Sequence, residues 1–232
     1  MLRTNRQALS DGVRDGIPIG LGYFVVSFTL GIAARFAGLT PFEGFITSFF
    51  NNASAGEYAA FTVIMADASY VEMALITLVA NARYVLMSAV ISQKFDPSTP
   101  FYHRIFVGFD VTDEIFGITV ARPGKLNPFY NYGAMLVALP GWSLGTALGV
   151  IAGNILPPSI VSALSVALYG MFLAVIMPPA RKDRVIAASI VVSFAMSFLA
   201  AQFLGDISAG TRTIVLTVLI AGIAAVLRPI KE

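Results

Sequence analysis

The chain has 232 residues, of which 57% are hydrophobic and 12% are charged. Soluble domains contain about 45–50% apolar and about 25% charged residues, so the composition excludes an ordinary water-soluble protein. A formal net charge of +2 gives no argument for a nucleic-acid partner. Because the chain has no cysteine and one histidine, His103, disulfides, iron–sulfur clusters and multi-histidine metal sites are excluded. We expect no cofactor.

Apolar segments separated by proline, glycine or charged residues divide the chain into candidate membrane spans. Each is close to the roughly 20 residues that cross the hydrocarbon core of a bilayer. The predicted spans are 16–37, 42–65, 69–92, 103–121, 130–153, 157–178, 185–204 and 211–228. Since the connections are short, we predict an all-α polytopic helix bundle of seven or eight spans that forms a single integral-membrane domain over residues 1–232. Whether the bundle has seven or eight spans depends on segment 103–121, because its several charges make it the span least suited to cross the membrane.

The positions of lysine and arginine predict the orientation, because cytoplasmic loops retain positive charge. With eight spans and the N terminus inside, ten basic residues lie on the inner side and four on the outer side. The inner set is Arg3, Arg6, Arg14, Arg122, Lys125, Arg181, Lys182, Arg184, Arg228 and Lys231. This excess predicts a multi-pass protein of the cytoplasmic membrane with both termini in the cytoplasm. The first residues lack the pattern of a cleaved signal peptide.

A weak internal similarity predicts two half-repeats, at about 16–93 and 138–205. The segment from Pro18 to Gly22 is similar to the segment from Pro140 to Gly145. Many transporters consist of duplicated halves, with the substrate site at their interface near the middle of the bilayer.

The second predicted span has a polar middle. The residues concerned are Asn51, Asn52, Ser54, Gly56 and Glu57. They predict a helix that is broken within the membrane, where freed backbone groups and asparagine side chains can bind an amino acid or an ion. In the alternative interpretation, these side chains only hydrogen-bond neighbouring helices. Glu57 favours the functional interpretation, because a buried carboxyl group can exchange a proton near neutral pH.

The third predicted span contains Asn81 and Arg83 near its middle. A charged side chain at that depth costs about 2.5–3.5 kcal/mol on insertion scales and is too deep to reach the interface easily. We therefore expect an acidic partner for Arg83, with Glu57 the first candidate and the acidic residues of the fourth segment the next. An arginine can also hold the carboxylate of a substrate through two hydrogen bonds. A purely structural ion pair is the alternative.

The fourth segment carries one imidazole and three carboxyl groups. On a continuous helix, at about 100° per residue, they would form one polar stripe made of His103, Asp110, Asp113 and Glu114. Carboxylates one turn apart repel each other unless one is protonated or an arginine intervenes, which is typical of a proton relay. The alternative is a helix that lies at the membrane interface with a solvated acidic face.

Several of these residues fall in stretches whose order and spacing resemble the AzlC family, the large membrane subunit of two-component branched-chain amino acid exporters. The stretches include Asp15 to Pro18, Asn52 to Ala59, Asn81 to Tyr84, Thr112 to Phe116, Gly141 to Thr146 and Leu168 to Phe172. The similarity extends from about Asp11 to Pro229. Glu57 stands where the family usually has glutamine, and Tyr84 where many members have histidine.

The resemblance implies export of branched-chain and other neutral hydrophobic amino acids, driven by the proton gradient. It also implies a partner, a small AzlD-like membrane subunit encoded separately. The oligomeric state, including a homo-oligomer, stays open. The resemblance and the residues together predict a permease that works by alternating access. We assign substrate binding to Asn51, Asn52, Ser54, Gly56, Asn81 and Arg83, and proton coupling to Glu57, Asp110, Asp113 and Glu114.

Two other functions compete with transport. A structural or assembly subunit would use its polar spans only to hold a partner. An integral-membrane enzyme is disfavoured because the sequence has no HExxH motif, no cysteine and no histidine pair. We therefore predict that the protein is not an enzyme.

Overall fold

A computed structural model describes residues 4–227. Arg3, Lys231 and Arg228, which is the last residue of predicted span 211–228, lie outside the described residues. The described part forms eleven α-helices, and its only β pairing is a single bridge between Phe95 and Leu126. The helices are α1 (Asn5–Phe36), α2 (Pro41–Phe50), α3 (Ser54–Met65), α4 (Tyr70–Ala80), α5 (Ala82–Lys94), α6 (Phe101–Phe109), α7 (Asp113–Val120), α8 (Pro128–Ile155), α9 (Pro158–Lys182), α10 (Arg184–Phe203) and α11 (Ala209–Leu227). The all-α prediction is confirmed.

Local sequence explains where these helices begin. Thr40 accepts a hydrogen bond from the Glu43 backbone N–H at 3.2 Å, and the Glu43 carboxylate accepts one from the Thr40 backbone N–H at 2.8 Å. This reciprocal capping box, followed by Pro41 at the first helical position, fixes the start of α2. Asn127 caps α8 in a similar place before Pro128, with its side-chain oxygen 3.0 Å from the Phe129 backbone nitrogen.

The structure has fewer uninterrupted spans than the seven or eight predicted. Within residues 4–227, four helices are long and apolar enough to cross a membrane, namely α1, α8, α10 and α11. The pair α4 and α5, bent by 52° at Asn81, would be a fifth. The structure supports a helical membrane protein. Three of the predicted spans are interrupted, and a fourth, 157–178, forms the continuous helix α9, which is not among the four helices counted above.

The sequence predicts one of the three interruptions and does not predict the other two. The break predicted in segment 42–65 is present, because α2 ends at Phe50 and α3 begins at Ser54. The bend at Asn81 was not predicted. The prediction of one continuous helix over 103–121 is wrong, because α6 ends at Phe109 and α7 begins at Asp113. Thr112 starts the new helix, since its hydroxyl oxygen accepts a hydrogen bond from the Ile115 backbone N–H at 3.3 Å.

Helices α1 and α8 form the centre of the bundle and run parallel to each other. Their contacts advance together, from Gly12 beside Tyr130 to Arg35 beside Gly153. A Cβ atom added at Gly31 would overlap the Thr146 carbonyl oxygen, so the two backbones approach closely only because the contact residues are small. These helices open the two predicted half-repeats, and each contains an internal proline. The repeat itself remains a prediction.

The remaining helices surround this central pair at increasing distance. Helices α2, α3, α7 and α9 contact α1, and α2, α6 and α7 contact α8. Half of the apolar segment of α8 is buried, against 6% of the corresponding segments of α10 and α11. The short helices α2, α3, α6 and α7 therefore pack on the central pair, α4 and α5 contact these short helices, and α10 and α11 lie at the edge of the bundle.

The close contact of α1 and α8 predicts that a single methyl group at the interface destabilises the protein. Gly31→Ala places a methyl group against the backbone of α8, and overpacking of this kind costs about 1–3 kcal/mol. We expect a lower thermal unfolding temperature in detergent. Gly22→Ala is the matched control, because Gly22 lies on the same helix with open space around its Cβ position. Equal unfolding temperatures for the two variants would contradict the packing described.

Candidate functional site

The three helix interruptions meet at one place. The Asn81 amide, at the bend between α4 and α5, donates a hydrogen bond to the Asn51 side-chain oxygen at 3.3 Å. It also lies against Gly56, where a Cβ atom would overlap it. Asn52, from the break between α2 and α3, donates a hydrogen bond to Asp110, from the break between α6 and α7. Three backbone interruptions that are distant in sequence thus form one polar cluster, with Ser54 as the first residue of α3.

Glu57 occupies the most enclosed position of this cluster, with no exposed surface. One carboxyl oxygen accepts a hydrogen bond from Trp142 Nε1 at 2.7 Å. The other contacts the hydroxyls of Ser48 and of Thr146, the latter at 3.4 Å. Two of these partners, Trp142 and Thr146, belong to α8, one of the two central helices. A buried carboxyl group is costly unless donors surround it, and here both oxygens have polar partners.

The hydroxyl groups beside Glu57 can satisfy either protonation state. Ser48 Oγ and Thr146 Oγ1 are 2.6 Å apart, and the Trp142 carbonyl oxygen is 3.4 Å from Thr146 Oγ1. With Glu57 ionised, Thr146 donates to Ser48 and Ser48 donates to Glu57. With Glu57 protonated, the direction of these hydrogen bonds reverses: Glu57 donates to Ser48, and Ser48 donates to Thr146. Thr146 then donates to the Trp142 carbonyl group. The hydrogen bonds of both protonation states can therefore be made by rotation of two hydroxyl groups alone.

Arg83 pairs with an acidic residue of the fourth segment, as the second of the two predicted choices. Its Nη2 atom lies 2.7 Å from Asp113 Oδ2, and both side chains are 48% exposed. Glu57, the first candidate, is not its partner, because the bend at Asn81 directs α5 toward the first turn of α7. Arg83 is the second residue of α5, so its charge lies beside two helix N termini and at an open edge of the polar cluster.

Glu114 connects to the central helices through Tyr23. The Tyr23 hydroxyl is 2.6 Å from Glu114 Oε2 and also contacts the Thr112 hydroxyl. The ring of Tyr23 packs edge to face on Trp142, with 5.3 Å between ring centroids. Since Trp142 binds Glu57, this aromatic pair lies between the two acidic parts of the site.

The predicted polar stripe of the fourth segment is not present as one face. His103 contacts the Tyr132 hydroxyl at 2.6 Å, away from the acidic residues. Asp110 faces Asn52, Asp113 faces Arg83 and Glu114 faces Tyr23. The break at 110–112 changes the helical register, so the predicted angles do not apply across it. The three acidic side chains are nevertheless in the same region, each with its own partner.

A cavity of about 370 Å³ lies beside this region, between α1, α3 and α9. Its walls are mostly apolar with a few hydroxyl groups, and they include Thr29, Ala33, Tyr58, Phe61, Thr62 and Tyr169. The hydroxyls of Tyr58 and Tyr169 are 2.8 Å apart and connect α3 to α9 across one side of the cavity. Tyr58 directly follows Glu57, so the cavity and the buried carboxyl group share a helix.

Sequence reasoning missed four side chains that complete the site, Tyr23, Ser48, Trp142 and Thr146. Ser48 falls in the predicted span with the polar middle, and Trp142 and Thr146 fall in the stretch Gly141 to Thr146 that carries the family resemblance. Trp142 is also the only tryptophan of the chain. For Tyr23 the sequence offers no local signal, because its role comes from the packing of α1 against its neighbours.

Comparisons with known proteins agree on one family. The family described as AzlC protein matches residues 18–156, more than half of the chain. An uncharacterised membrane protein of Archaeoglobus fulgidus is 31% identical over 179 residues, which are 76% of this chain and 78% of that protein. The inner membrane protein YgaZ of Escherichia coli is 24% identical over 181 residues, or 75% and 74% of the two chains. No solved structure matches the chain.

The matched region extends from the middle of α1 to the end of α8 and contains most of the side chains of the polar cluster described above. These matches and the helical, apolar architecture show that the chain belongs to the AzlC family of membrane proteins.

Proposed function

We propose that this protein is a permease that exports branched-chain and other neutral hydrophobic amino acids, coupled to the proton gradient by alternating access. The observation that carries the proposal is the meeting of three helix interruptions inside an apolar bundle. Such interruptions free backbone donors and acceptors, which are tolerated at membrane depth where they line a cavity or a binding site. A scaffold alone would not need them.

The polar cluster offers groups for both ends of a zwitterionic amino acid. Arg83 and the N termini of α5 and α7 suit a carboxylate, because guanidinium and helix N-terminal N–H groups both favour negative charge. The side-chain oxygen of Asn51, at the break between α2 and α3, suits an ammonium group. In this proposal the substrate carboxylate takes the place of Asp113 at Arg83.

The adjacent cavity suits the apolar part of the substrate. Its volume of about 370 Å³ accommodates an aliphatic side chain, and its mixed lining of aromatic rings, methyl groups and hydroxyls has no charged group among the lining residues. Small-molecule sites typically combine such an apolar lining with a few oriented polar groups. Preference for neutral hydrophobic amino acids follows from this combination.

Glu57 supports proton coupling because its hydroxyl partners accommodate both protonation states. We propose that Glu57, Asp113 and Glu114 share the proton path, with Tyr23 between the two acidic parts. The family assignment further supports a small AzlD-like membrane subunit as the partner in the active complex, located with this chain in the cytoplasmic membrane.

Transport by purified protein tests the proposal most directly. We expect proteoliposomes with an imposed pH gradient to move labelled leucine, at a higher rate when the small subunit is present. Glu57→Gln should flatten the pH dependence of the initial rate, because the amide cannot exchange a proton. Glu43→Gln is the control, since Glu43 is an exposed helix cap away from the cluster. Leucine movement with an unchanged pH profile in Glu57→Gln would remove Glu57 from the proton path.

Arg83→Gln separates substrate binding from stability. An exposed ion pair contributes at most about 1 kcal/mol to folding, so the unfolding temperature should change little. Loss of a hydrogen bond to a charged group costs about 1.5–3 kcal/mol, so leucine should bind about tenfold or more weakly. Trp142 provides the measurement, because its fluorescence is the only tryptophan signal and arises beside Glu57. Unfolding of the variant with unchanged leucine affinity of the folded fraction would indicate a structural role instead.

Filling the cavity tests its role in side-chain selection. Thr62→Phe places an aromatic ring among the lining residues, so affinity should fall more for leucine and isoleucine than for alanine. The ratio of the Kd values, measured by Trp142 fluorescence, reports the effect. Thr213→Phe on the exposed face of α11 is the control, and it should leave the ratio unchanged. An equal loss of affinity for all three amino acids would place the side-chain pocket elsewhere.

A further inference from the structure

Two oxygen atoms in the polar cluster lack a hydrogen-bond donor. They are Asn52 Oδ1 and Asp110 Oδ2, and they are among three such buried side-chain atoms in residues 4–227. Asp110 is 1% exposed and Asn52 is 9% exposed, so bulk water does not reach them. The two side chains face each other, because Asn52 Nδ2 donates to Asp110 Oδ1. The remaining oxygen of each group therefore has no donor from the described protein.

An ionised Asp110 would be a buried charge without compensation. The ion pairs of the described residues involve Arg83 and Arg122 and do not include Asp110. The basic side chains on α5 and α6, the helices beside Asp110 that carry them, all have other partners. Arg83 pairs with Asp113, Lys94 donates to the carbonyl groups of Val120 and Arg122, His103 contacts Tyr132, and Arg104 donates to Ser92. Tyr23, Glu57, Asp113 and Glu114 carry no positive charge, so none of these groups neutralises Asp110. An unpaired buried carboxylate in apolar surroundings is strongly disfavoured.

We propose that Asn52 and Asp110 form a proton-binding site, in which a proton on Asp110 Oδ2 is donated to Asn52 Oδ1. The proton completes a ring of two hydrogen bonds between the acid and the amide, and one hydrogen satisfies both oxygens. Water supplies it: hydronium gives a proton to the carboxylate, leaving one water molecule and a neutral carboxylic acid. A metal ion would require further oxygen ligands, and the described residues contain no group of three His, Cys, Asp or Glu side chains that suits one.

The bound proton holds two broken helices together. Asn52 belongs to the break between α2 and α3, and Asp110 to the break between α6 and α7. Without the proton, a carboxylate oxygen would face an amide oxygen, and two acceptors repel each other. The pair must then separate and admit water. Glu57 differs, since its hydroxyl partners satisfy both of its states in the same conformation.

This inference rests on the proposed function in that the bound proton is the coupling ion. It assigns the proton-dependent conformational step to Asp110, and it leaves Glu57, which changes state without moving, as a second carrier. Protonation favours the closed contact, so raising the pH should open it.

Infrared spectroscopy of the full chain in liposomes tests the bound proton, because a carboxylic acid has a carbonyl stretch that a carboxylate lacks. We expect this band in the wild type at neutral pH and a reduced band in Asp110→Asn. Asp96→Asn is the control and should leave the band unchanged, because hydrogen bonds from the Ser98 hydroxyl and backbone N–H lower the pKa of exposed Asp96. A band of equal size in the wild type and Asp110→Asn would overturn the proposal.

The conformational step has a separate test, because the chain contains no cysteine. Val111→Cys introduces one thiol at a position that is 3% exposed and lies within the break between α6 and α7. Its labelling by a thiol reagent, corrected for reagent reactivity with an exposed cysteine variant, should rise several-fold as the pH increases. Adding Asp110→Asn should keep labelling low at every pH, since an amide can donate permanently to Asn52 Oδ1. Labelling that follows sodium concentration and not pH would overturn the proposal in favour of a metal cation.

These measurements are independent of transport. If leucine is transported but Asp110 carries no proton, the proton site is wrong and the proposed function stands. If the band and the labelling behave as expected but no amino acid is transported, the transport function fails and the proton site stands.

Discussion

The structure depends on the cost of placing polar groups inside an apolar bundle. Each buried carboxyl or amide must find its hydrogen bonds within the protein, because lipid offers none. Glu57 meets this requirement with donors from two helices, including Trp142 on α8. The short helices α2, α3, α6 and α7 are therefore positioned by polar contacts as much as by apolar packing. The same requirement makes the two unpaired oxygens at Asn52 and Asp110 informative.

The two buried acids solve this problem in different ways. Glu57 has hydroxyl partners that can rotate, so its environment adapts to either protonation state without movement of the backbone. Asp110 faces an amide in a fixed orientation, so its environment suits only one state. A group such as Glu57 can pass a proton onward, whereas a group such as Asp110 links protonation to the conformation of the protein. A coupled transporter requires both properties.

The sequence predicted the parts of the site that depend on local composition. The break between α2 and α3 was predictable because five polar or small residues, Asn51, Asn52, Ser54, Gly56 and Glu57, interrupt an apolar run. The bend at Asn81 was not, because a single asparagine between apolar residues is also compatible with a continuous helix. The error over 103–121 has the same origin, since the helical angles assumed continuity across Asp110.

Partners that are distant in sequence could not be predicted at all. Trp142 and Thr146 lie 85 and 89 residues from Glu57, and only the packing of α8 brings them there. Depth along a straight span ranks Glu57 ahead of the fourth-segment acids as the partner of Arg83, but the 52° bend turns Arg83 toward Asp113 of that segment. Periodicity indicates which face of a helix is polar, and it does not indicate which other helix that face meets.

The glycine contact between α1 and α8 limits which parts of the molecule can rearrange. The two backbones interlock along their length, from the contact of Gly12 with Tyr130 to the contact of Arg35 with Gly153. They therefore cannot slide past each other without steric collision. In the proposed alternating-access cycle, access from either side would therefore come from tilting of short half-helices relative to the fixed pair α1 and α8. Ser48 on α2 and Glu57 on α3 both contact side chains of α8, which ties them to this pair, whereas Asp110 lies in the break between α6 and α7.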